Sequence, residues 1–559
     1  MLCLRFVVVF SGLLLRGWLG ASAQVAISWP APNTVFQRGA TGTATLRLVV
    51  CATGTQSLRA VQVRLARYDT AGQRTPIVVN AARASADGWQ VATVTAGSGT
   101  NRVVCQVEGV PGGLYAVQVR ANDSLSREVD LGVGEVFAIA GQSNASGAVN
   151  CGELPTQHPR FVQFFNARTT CQDHDPGGKG LPGGSTGCSG PTKNFRFYWG
   201  ALGDLFAERL GVPVVFYQTA YSGSQVDDWD RGSQGQVTRF GPGVPYASLR
   251  AVLTGVVRQT GLRAVLWHQG ESDHLTPQYD AALNRVIGRT WADAGFSLPW
   301  VVARASYNGG NTSPALVRQQ VRVIGYASHA NADPEAPVKA YGDPFPGPFG
   351  RWGVFSGPFT DSLGAAFRCD NVHFGQNGQQ RVAEAWFDAF TRPYTDGLGA
   401  GGTFLTNSLP LLPGPAPDGA GCPLPCGTPP PAGTGLTALS AFIRYVLDCP
   451  QAAQTAPALV TQVPPGNTGH VTDLTDLRVS PNPGTGRVVV RFTLAGPGPV
   501  RLRLVSAAGV ELNDWRLDGQ GGENQVDLTL GAHPDGLYAV QVTGPDARTR
   551  AVRWVKGGH

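Results

Sequence analysis

The sequence predicts an α/β domain, a mostly parallel sheet with helices on both faces, flanked by two immunoglobulin-like β-sandwich modules. Three observations carry this expectation. From about residue 133 to 396, short apolar runs alternate with stretches of helical periodicity, and repeated βα units imply a parallel sheet covered on both sides. Before and after that region, segments alternate apolar and polar residues with period two between Gly, Asn and Pro turns, the pattern of sandwich strands. A Pro- and Gly-rich stretch separates the middle region from the last one.

The elements follow in order. Residues 1–23 read as a secretory signal: Arg5 is the basic start, Phe6 to Leu15 is mostly apolar, and Ala21-Ser22-Ala23 is a small-residue cleavage site. Residues 24–132 form the first sandwich, with strands expected at 44–50, 60–65, 90–94 and 114–120. In the α/β region, helices are expected at 197–210, 246–260, 276–294, from 313 and at 379–391. Strands are expected at 212–217, 263–267, 300–305 and 338–341. Gly211 and Gly261 stop two of the helices, and Thr276-Pro277 and Ser313-Pro314 open two others. Residues 397–470 read as a linker with one helical patch at 436–447. Residues 471–559 form the second sandwich. There, Gly536-Leu-Tyr-Ala-Val-Gln-Val542 repeats Gly113-Leu-Tyr-Ala-Val-Gln-Val119 letter for letter; the flanks differ, so a shared type of strand is expected.

Composition narrows the class. The chain has 559 residues with 74 Gly, 41 Pro and only 15% charged residues, which suits β-rich exported material. The formal charge of +6 is small, and no basic stripe with interleaved aromatics exists, so nucleic acid is not an expected partner. After the signal no run of about 20 apolar residues remains, so no transmembrane segment is expected. Nine cysteines follow the signal: Cys51, Cys105, Cys151, Cys171, Cys188, Cys369, Cys422, Cys426 and Cys449. In an exported chain these favour disulfides over metal, with Cys51 and Cys105 the natural pair of the first module. Cys171-Gln-Asp-His-Asp175 carries ligand-type residues, but its Gly-rich setting reads as a solvated loop.

The chemistry is expected where the first α/β strand ends. Glu135 to Ala140 is a short, mostly apolar run that breaks at Gly141 into Gln142, Ser143 and Asn144. A serine there is fixed by a buried strand and exposed by a turn, as a nucleophile requires. It needs a base, an orienter for the base and donors for an oxyanion. His373 in Cys369-Asp-Asn-Val-His-Phe374 is the best-placed histidine, and one turn can present Asp370 to its Nδ1. Gly223, after the strand at 212–217, can offer a backbone N–H. Gln269, after the strand at 263–267, can offer its side-chain amide. Glu271 reads as a supporting carboxylate, and His268 as turned away into packing.

Taken together, Gly141-Gln-Ser-Asn144, Gly223, Gln269-Gly-Glu271 and Asp370-x-x-His373 resemble the sialate O-acetylesterase and acetyl xylan esterase branch of the SGNH hydrolases, over about 133 to 396. The resemblance implies a flavodoxin-like three-layer fold and removal of acetyl groups from carbohydrates without a metal or other cofactor. It implies Ser143 as nucleophile, His373 as base and Asp370 as orienter. Ser143, Gly223 and Gln269 would form the oxyanion hole. Cys151 to Lys193 looks like an insertion beside the cleft. Val479-Ser-Pro-Asn-Pro483, Gly536-Leu-Tyr-Ala-Val540 and the basic tail resemble the C-terminal sorting domain of the type nine secretion system. That resemblance implies outer-membrane secretion machinery as a partner and a secreted or cell-surface location. Two other readings stay open on the residues: a catalytically silent glycan-binding protein, and an esterase for lipids or thioesters.

Overall fold

The structure is a computed structural model. It describes residues 25–52, 57–97, 100–122, 124–147, 151–152, 154–168, 190–191, 197–295, 298–324, 353–392, 394–395, 401–408, 410–412, 474–480, 487–506, 511–529, 536–545 and 549–556. The signal, the linker with its helical patch from 413 on, the Cys171–Asp175 loop and the expected strand at 338–341 lie outside the described residues.

Six parallel strands make the central sheet: β1 (Val129–Gly141), β2 (Val162–Asn166), β3 (Val214–Gln218), β4 (Ala264–His268), β5 (Trp300–Arg304) and β6 (Val354–Phe359). Their spatial order is β2-β3-β1-β4-β5-β6. Leaving out β2, whose outer side pairs with the short antiparallel strand Gly190–Pro191, this is the 2-1-3-4-5 order of a doubly wound sheet, whose crevice opens at the carboxyl ends where the order reverses. That point lies at β1, between β3 and β4. Residues Val136 to Ala140 are completely buried, which explains why β1 reads as an apolar run rather than an alternating one. Val136, Phe137 and Ile139 each contribute roughly 2 kcal/mol by burial.

The helices confirm most of the periodicity. Phe197–Leu210 forms as expected. The expected 246–260 helix is broken at Gly255 into Tyr246–Thr254 and Val256–Thr260. Tyr279–Ala294 starts a little after Thr276-Pro277, and Gln376–Thr391 starts three residues before its expected position. The short helix Val226–Ser233 and the strands β2 and β6 went unforeseen.

β1 is longer than the sheet it centres. Its first half pairs antiparallel with Gly113–Val117 and parallel with Val35–Gln37, and its second half pairs with β3 and β4. The N-terminal strands and the α/β sheet therefore share one strand, and residue 133 falls inside it. A buried ion cluster stiffens this junction. Arg263 donates to both carboxylate oxygens of Glu135, at 2.6 and 3.2 Å, and to the carbonyls of Arg38 and Leu405. Arg38 and Gln37 also donate to Glu135. Burial opposes ionisation of Glu135, but the Arg263 and Arg38 charges outweigh it and hold its carboxyl below the usual range.

The C-terminal unit is a sandwich of a three-stranded and a four-stranded sheet. They close on one core that includes Phe492, Leu502, Val540 and Trp554. Both copies of the repeated heptapeptide are strands, Gly113–Ala121 and Gly536–Thr543. One expectation fails in the first module. Cys105 is a free, buried thiol, so it does not pair with Cys51. The strand register places Cys105 opposite Leu48 and Cys51 opposite Arg102. Burial pushes the Cys105 thiol up to about 12.

Candidate active site

The sheet register delivers three turns to one place. Gly141 on β1 pairs with His268 on β4, and Ile139 pairs with Gln218 on β3. The chain leaves these strand ends carrying Ser143, Gln269 and Gly223. Gly141 is required by space: its φ is 132°, and a Cβ there would lie 2.0 Å from the His268 carbonyl oxygen. Gly270 is alike, with φ 147° and the Ala305 oxygen 2.0 Å from where a Cβ would sit.

Gln142 locks the first turn to the third. Its Oε1 accepts from the Gln269 amide at 3.1 Å and from the N–H groups of Gly270 and Ser272. Ser143 then opens the one-turn helix Ser143–Ser146. Its N–H is one of the first four of a helix, which lack intrahelical acceptors. Ser146 Oγ lies 2.9 Å from Ser222 Oγ, which brings the Gly223 turn alongside. Gly223 is exposed, with φ 71° and open space where a Cβ would be.

His373 reaches this turn from the far end of the domain. Its Nε2 lies 2.8 Å from Ser143 Oγ, and its Nδ1 lies 2.6 Å from Asp370 Oδ2. Burial raises the Asp370 carboxyl, but the imidazole and the N–H groups of His373 and Val372 outweigh it and hold it down to about 2. The carboxylate therefore stays charged and accepts the Nδ1 proton, leaving Nε2 to face the serine. Ser143 and His373, 230 residues apart along the chain, meet here with Asp370.

Three features hold the His373 loop. The Cys369 N–H donates to the His373 carbonyl at 2.9 Å. A disulfide joins Cys369 to Cys151. Asn144 donates to the Val372 carbonyl and accepts from the Phe374 N–H, gripping the backbone on both sides of His373. Its remaining donor goes to Glu271 Oε1 at 2.8 Å. Glu271 is fully buried; burial opposes its charge, but His268 and Asn144 outweigh that and hold its carboxyl down to about 2. His268, expected to turn away, does so: its Nδ1 lies 2.8 Å from the Tyr198 hydroxyl. Cys151, Asp370 and His373 bring ligand-type atoms close together, but the disulfide leaves no thiolate for a metal.

Gln269 lies differently from the expectation. Its side chain is buried, and its amide nitrogen donates to Asp273, Gln142 and the Ser224 carbonyl. Both of its protons are thus engaged inside the protein, and the side chain braces the turn instead of presenting a donor to the cleft. The sequence reading also missed the grip of Asn144 and the Cys151–Cys369 bond. Asn144 was visible as part of the motif, but only the fold shows which loop it holds.

Residues 133–333 match the family described as SASA, carbohydrate esterase, sialic acid-specific acetylesterase. No curated protein matches the chain. Similar solved structures include a novel carbohydrate acetylesterase from Xanthomonas citri, 14% identical, covering 95% of this chain and 97% of that one with a TM-score of 0.33. A protein from Arabidopsis thaliana is 17% identical, covering 46% and 97% with a TM-score of 0.26. The first Ig domain of the mouse polymeric immunoglobulin receptor is 14% identical, covering 20% and 93% with a TM-score of 0.13. Likenesses this weak carry no function across. The family match is a different matter, because it falls on the stretch that supplies Ser143, Gly223 and Gln269, and the chain is a carbohydrate esterase.

Proposed function

We propose that Ser143 is the nucleophile of this carbohydrate acetylesterase, His373 its base and Asp370 the orienter of that base. The carrying observation is the continuous hydrogen-bonded line from Ser143 Oγ through His373 to Asp370, at 2.8 and 2.6 Å. His373 Nε2 takes the serine proton as Oγ attacks the acetyl carbonyl. The tetrahedral oxyanion is met by the N–H groups of Ser143 and Gly223. Its collapse expels the sugar oxygen, which takes the proton back from His373, and leaves an acetyl group on Ser143. Water, deprotonated by His373, then releases acetate and restores the hydroxyl. Gln269 supports the oxyanion hole from one layer behind, by fixing Gln142 and the Ser224 turn.

The substrate is an O-acetylated sugar, on a sialic acid or a hemicellulose such as xylan. The sequence supports export by the signal at 1–23. The sorting-domain resemblance of 471–559 supports carriage across an outer membrane. No helix among the described residues is long and apolar enough to cross a membrane.

Ser143→Ala tests the core of this reading. Hydrolysis of 4-nitrophenyl acetate should fall by at least about a thousandfold; an unchanged rate would end the assignment. Recovery of an exported protein with 471–559 intact would count against processing by the sorting machinery.

A further inference from the structure

Both flanks of Gly223 are tied down while its own N–H is not. Before it, the Tyr221 N–H donates to the Gly141 carbonyl at 3.0 Å, and the Ser222 hydroxyl lies 2.9 Å from that of Ser146. After it, the Ser224 N–H donates to the Tyr221 carbonyl at 3.2 Å, and the Ser224 carbonyl accepts from the Gln269 amide at 3.2 Å. The Gly223 N–H has no acceptor among the described residues. It is one of the two donors assigned to the oxyanion above.

Glycine is the residue least able to hold such a donor by itself, because its backbone turns most freely. Gly223 is exposed, with φ 71° and nothing within 4 Å of where a Cβ would sit. Its carbonyl belongs to the next peptide, so rotation about its Cα would swing N–H and carbonyl relative to each other. Arg239 opposes that rotation. Its Nη2 donates to the Gly223 carbonyl and, at 2.9 Å, to Asp228 Oδ2; its Nε donates to the same carboxylate oxygen at 3.2 Å. That oxygen also accepts from the Gln225 N–H at 2.9 Å. One carboxylate therefore ties the guanidinium to the chain two residues past Gly223.

The arm that carries Arg239 is anchored on the same turn. Arg239 and Phe240 join the paired strands Val237–Thr238 and Gly241–Pro242. Phe240 is buried and meets the Tyr221 ring edge-on, centroids 5.6 Å apart. The guanidinium lies over the Phe240 ring, 4.9 Å from its centroid. The hairpin thus grips the turn at Tyr221 and reaches over to its glycine.

We infer that Arg239, braced by Asp228, is a positioning residue for the reaction: it holds the Gly223 N–H toward the oxyanion without itself touching substrate. The inference rests on the acetylesterase reading above and deepens its oxyanion hole. Half of the Arg239 side chain is exposed, so its ion pair adds little to folding. Its effect falls on the transition state, where a donor misplaced by about 1 Å costs up to about a hundredfold.

The test is Arg239→Met with 4-nitrophenyl acetate. The kcat should fall by about 10- to 100-fold with KM within about twofold of wild type, and the melting temperature should stay within about 3 °C. Methylboronic acid, whose adduct on Ser143 is a tetrahedral anion, should bind more weakly by about the same factor as kcat falls. Arg239→Lys keeps the charge but not the planar fork, and should recover only part of the loss. Asp228→Ala should lower kcat by about three- to tenfold, and the double variant should be no slower than Arg239→Met, because Asp228 acts through Arg239. Three results overturn the inference and leave the esterase reading standing: kcat of Arg239→Met within about twofold of wild type, a raised KM with kcat kept, or a lower kcat with boronate affinity unchanged. Should Arg239→Met fail to fold, Asp228→Ala and Arg239→Lys decide by the same criteria. If wild type neither hydrolyses 4-nitrophenyl acetate nor forms a fluorophosphonate adduct on Ser143, it is the reading beneath that falls.

Discussion

Asn144 Nδ2 lies 2.8 Å from Glu271 Oε1, one residue away from Ser143 and in the same contact set as the loop that carries His373. One side chain therefore links the Ser143 turn, the β4 turn and the His373 loop, with both donors and its acceptor in use.

Asn144→Ala breaks that link and leaves a buried carboxylate short of a donor, at a cost of about 1–3 kcal/mol. The base is then held less closely to Ser143. The expected result is a kcat lower by about 10- to 100-fold with KM little changed, together with a lower melting temperature. Steady-state kinetics on 4-nitrophenyl acetate checks it, and a kcat within about twofold of wild type would refute the grip on His373.

Glu271 makes stability depend on acid. Its folded carboxyl is held at about 2 against 4.5 in an open chain. A depressed value adds stability that is fully present above pH 4.5 and is lost as the pH falls through 2. Glu271→Gln removes this group. Its melting temperature should fall less than that of wild type between about pH 5 and about pH 3. Parallel melting curves of the two proteins across that window test the point, and identical slopes would contradict it.

The Cys151–Cys369 bond spans 218 residues and ends one residue from Asp370. Cys369→Ser should lower stability by about 2–5 kcal/mol and reduce kcat, because the turn bearing the dyad loses its covalent tie. Mild reduction of the wild type should lower activity in the same direction. Activity and thermal unfolding measured with and without reductant settle whether the bond matters to the site; full activity of the reduced enzyme would argue that Asn144 alone suffices.

Arg263→Met strips Glu135 of its main partner in a fully buried place. The expected loss is about 3–5 kcal/mol. The double variant Arg263→Met with Glu135→Leu should recover much of it, since no unpaired charge is left inside. Denaturant unfolding of the three variants gives the comparison, and a double variant no better than the single would show that the carbonyl contacts to Arg38 and Leu405 matter more.

Much of this was legible in the residues. Apolar runs the length of buried strands marked β1, β3, β4 and β5, and the helical period from Phe197 to Leu210 was unambiguous. Ser143, His373 and Asp370 could be picked out because few residues stand at strand ends with the right chemistry. Other features depended on three-dimensional register. Cys105 looked like a partner for Cys51 until the ladder set it opposite Leu48. Gln269 looked like a donor to substrate until Asp273, Gln142 and Ser224 were seen around its amide. Strand β2, Val162–Asn166, comes shortly before a Gly-rich stretch whose composition masked it. Side-chain direction and long-range pairing are tertiary properties, and local pattern does not encode them.

The strand Val129–Gly141 has a consequence for anyone who would move this enzyme. A catalytic unit excised at residue 133 would begin in the middle of a ladder. It would be stripped of Gly113–Val117 on one side, of Val35–Gln37 on the other, and of Arg38 beside Glu135. The hydrolase is therefore not a portable cassette. Its front module works as a splint on the strand that aims Ser143, and a graft that keeps the family's residues but leaves the splint behind is expected to lose the aim before it loses the chemistry.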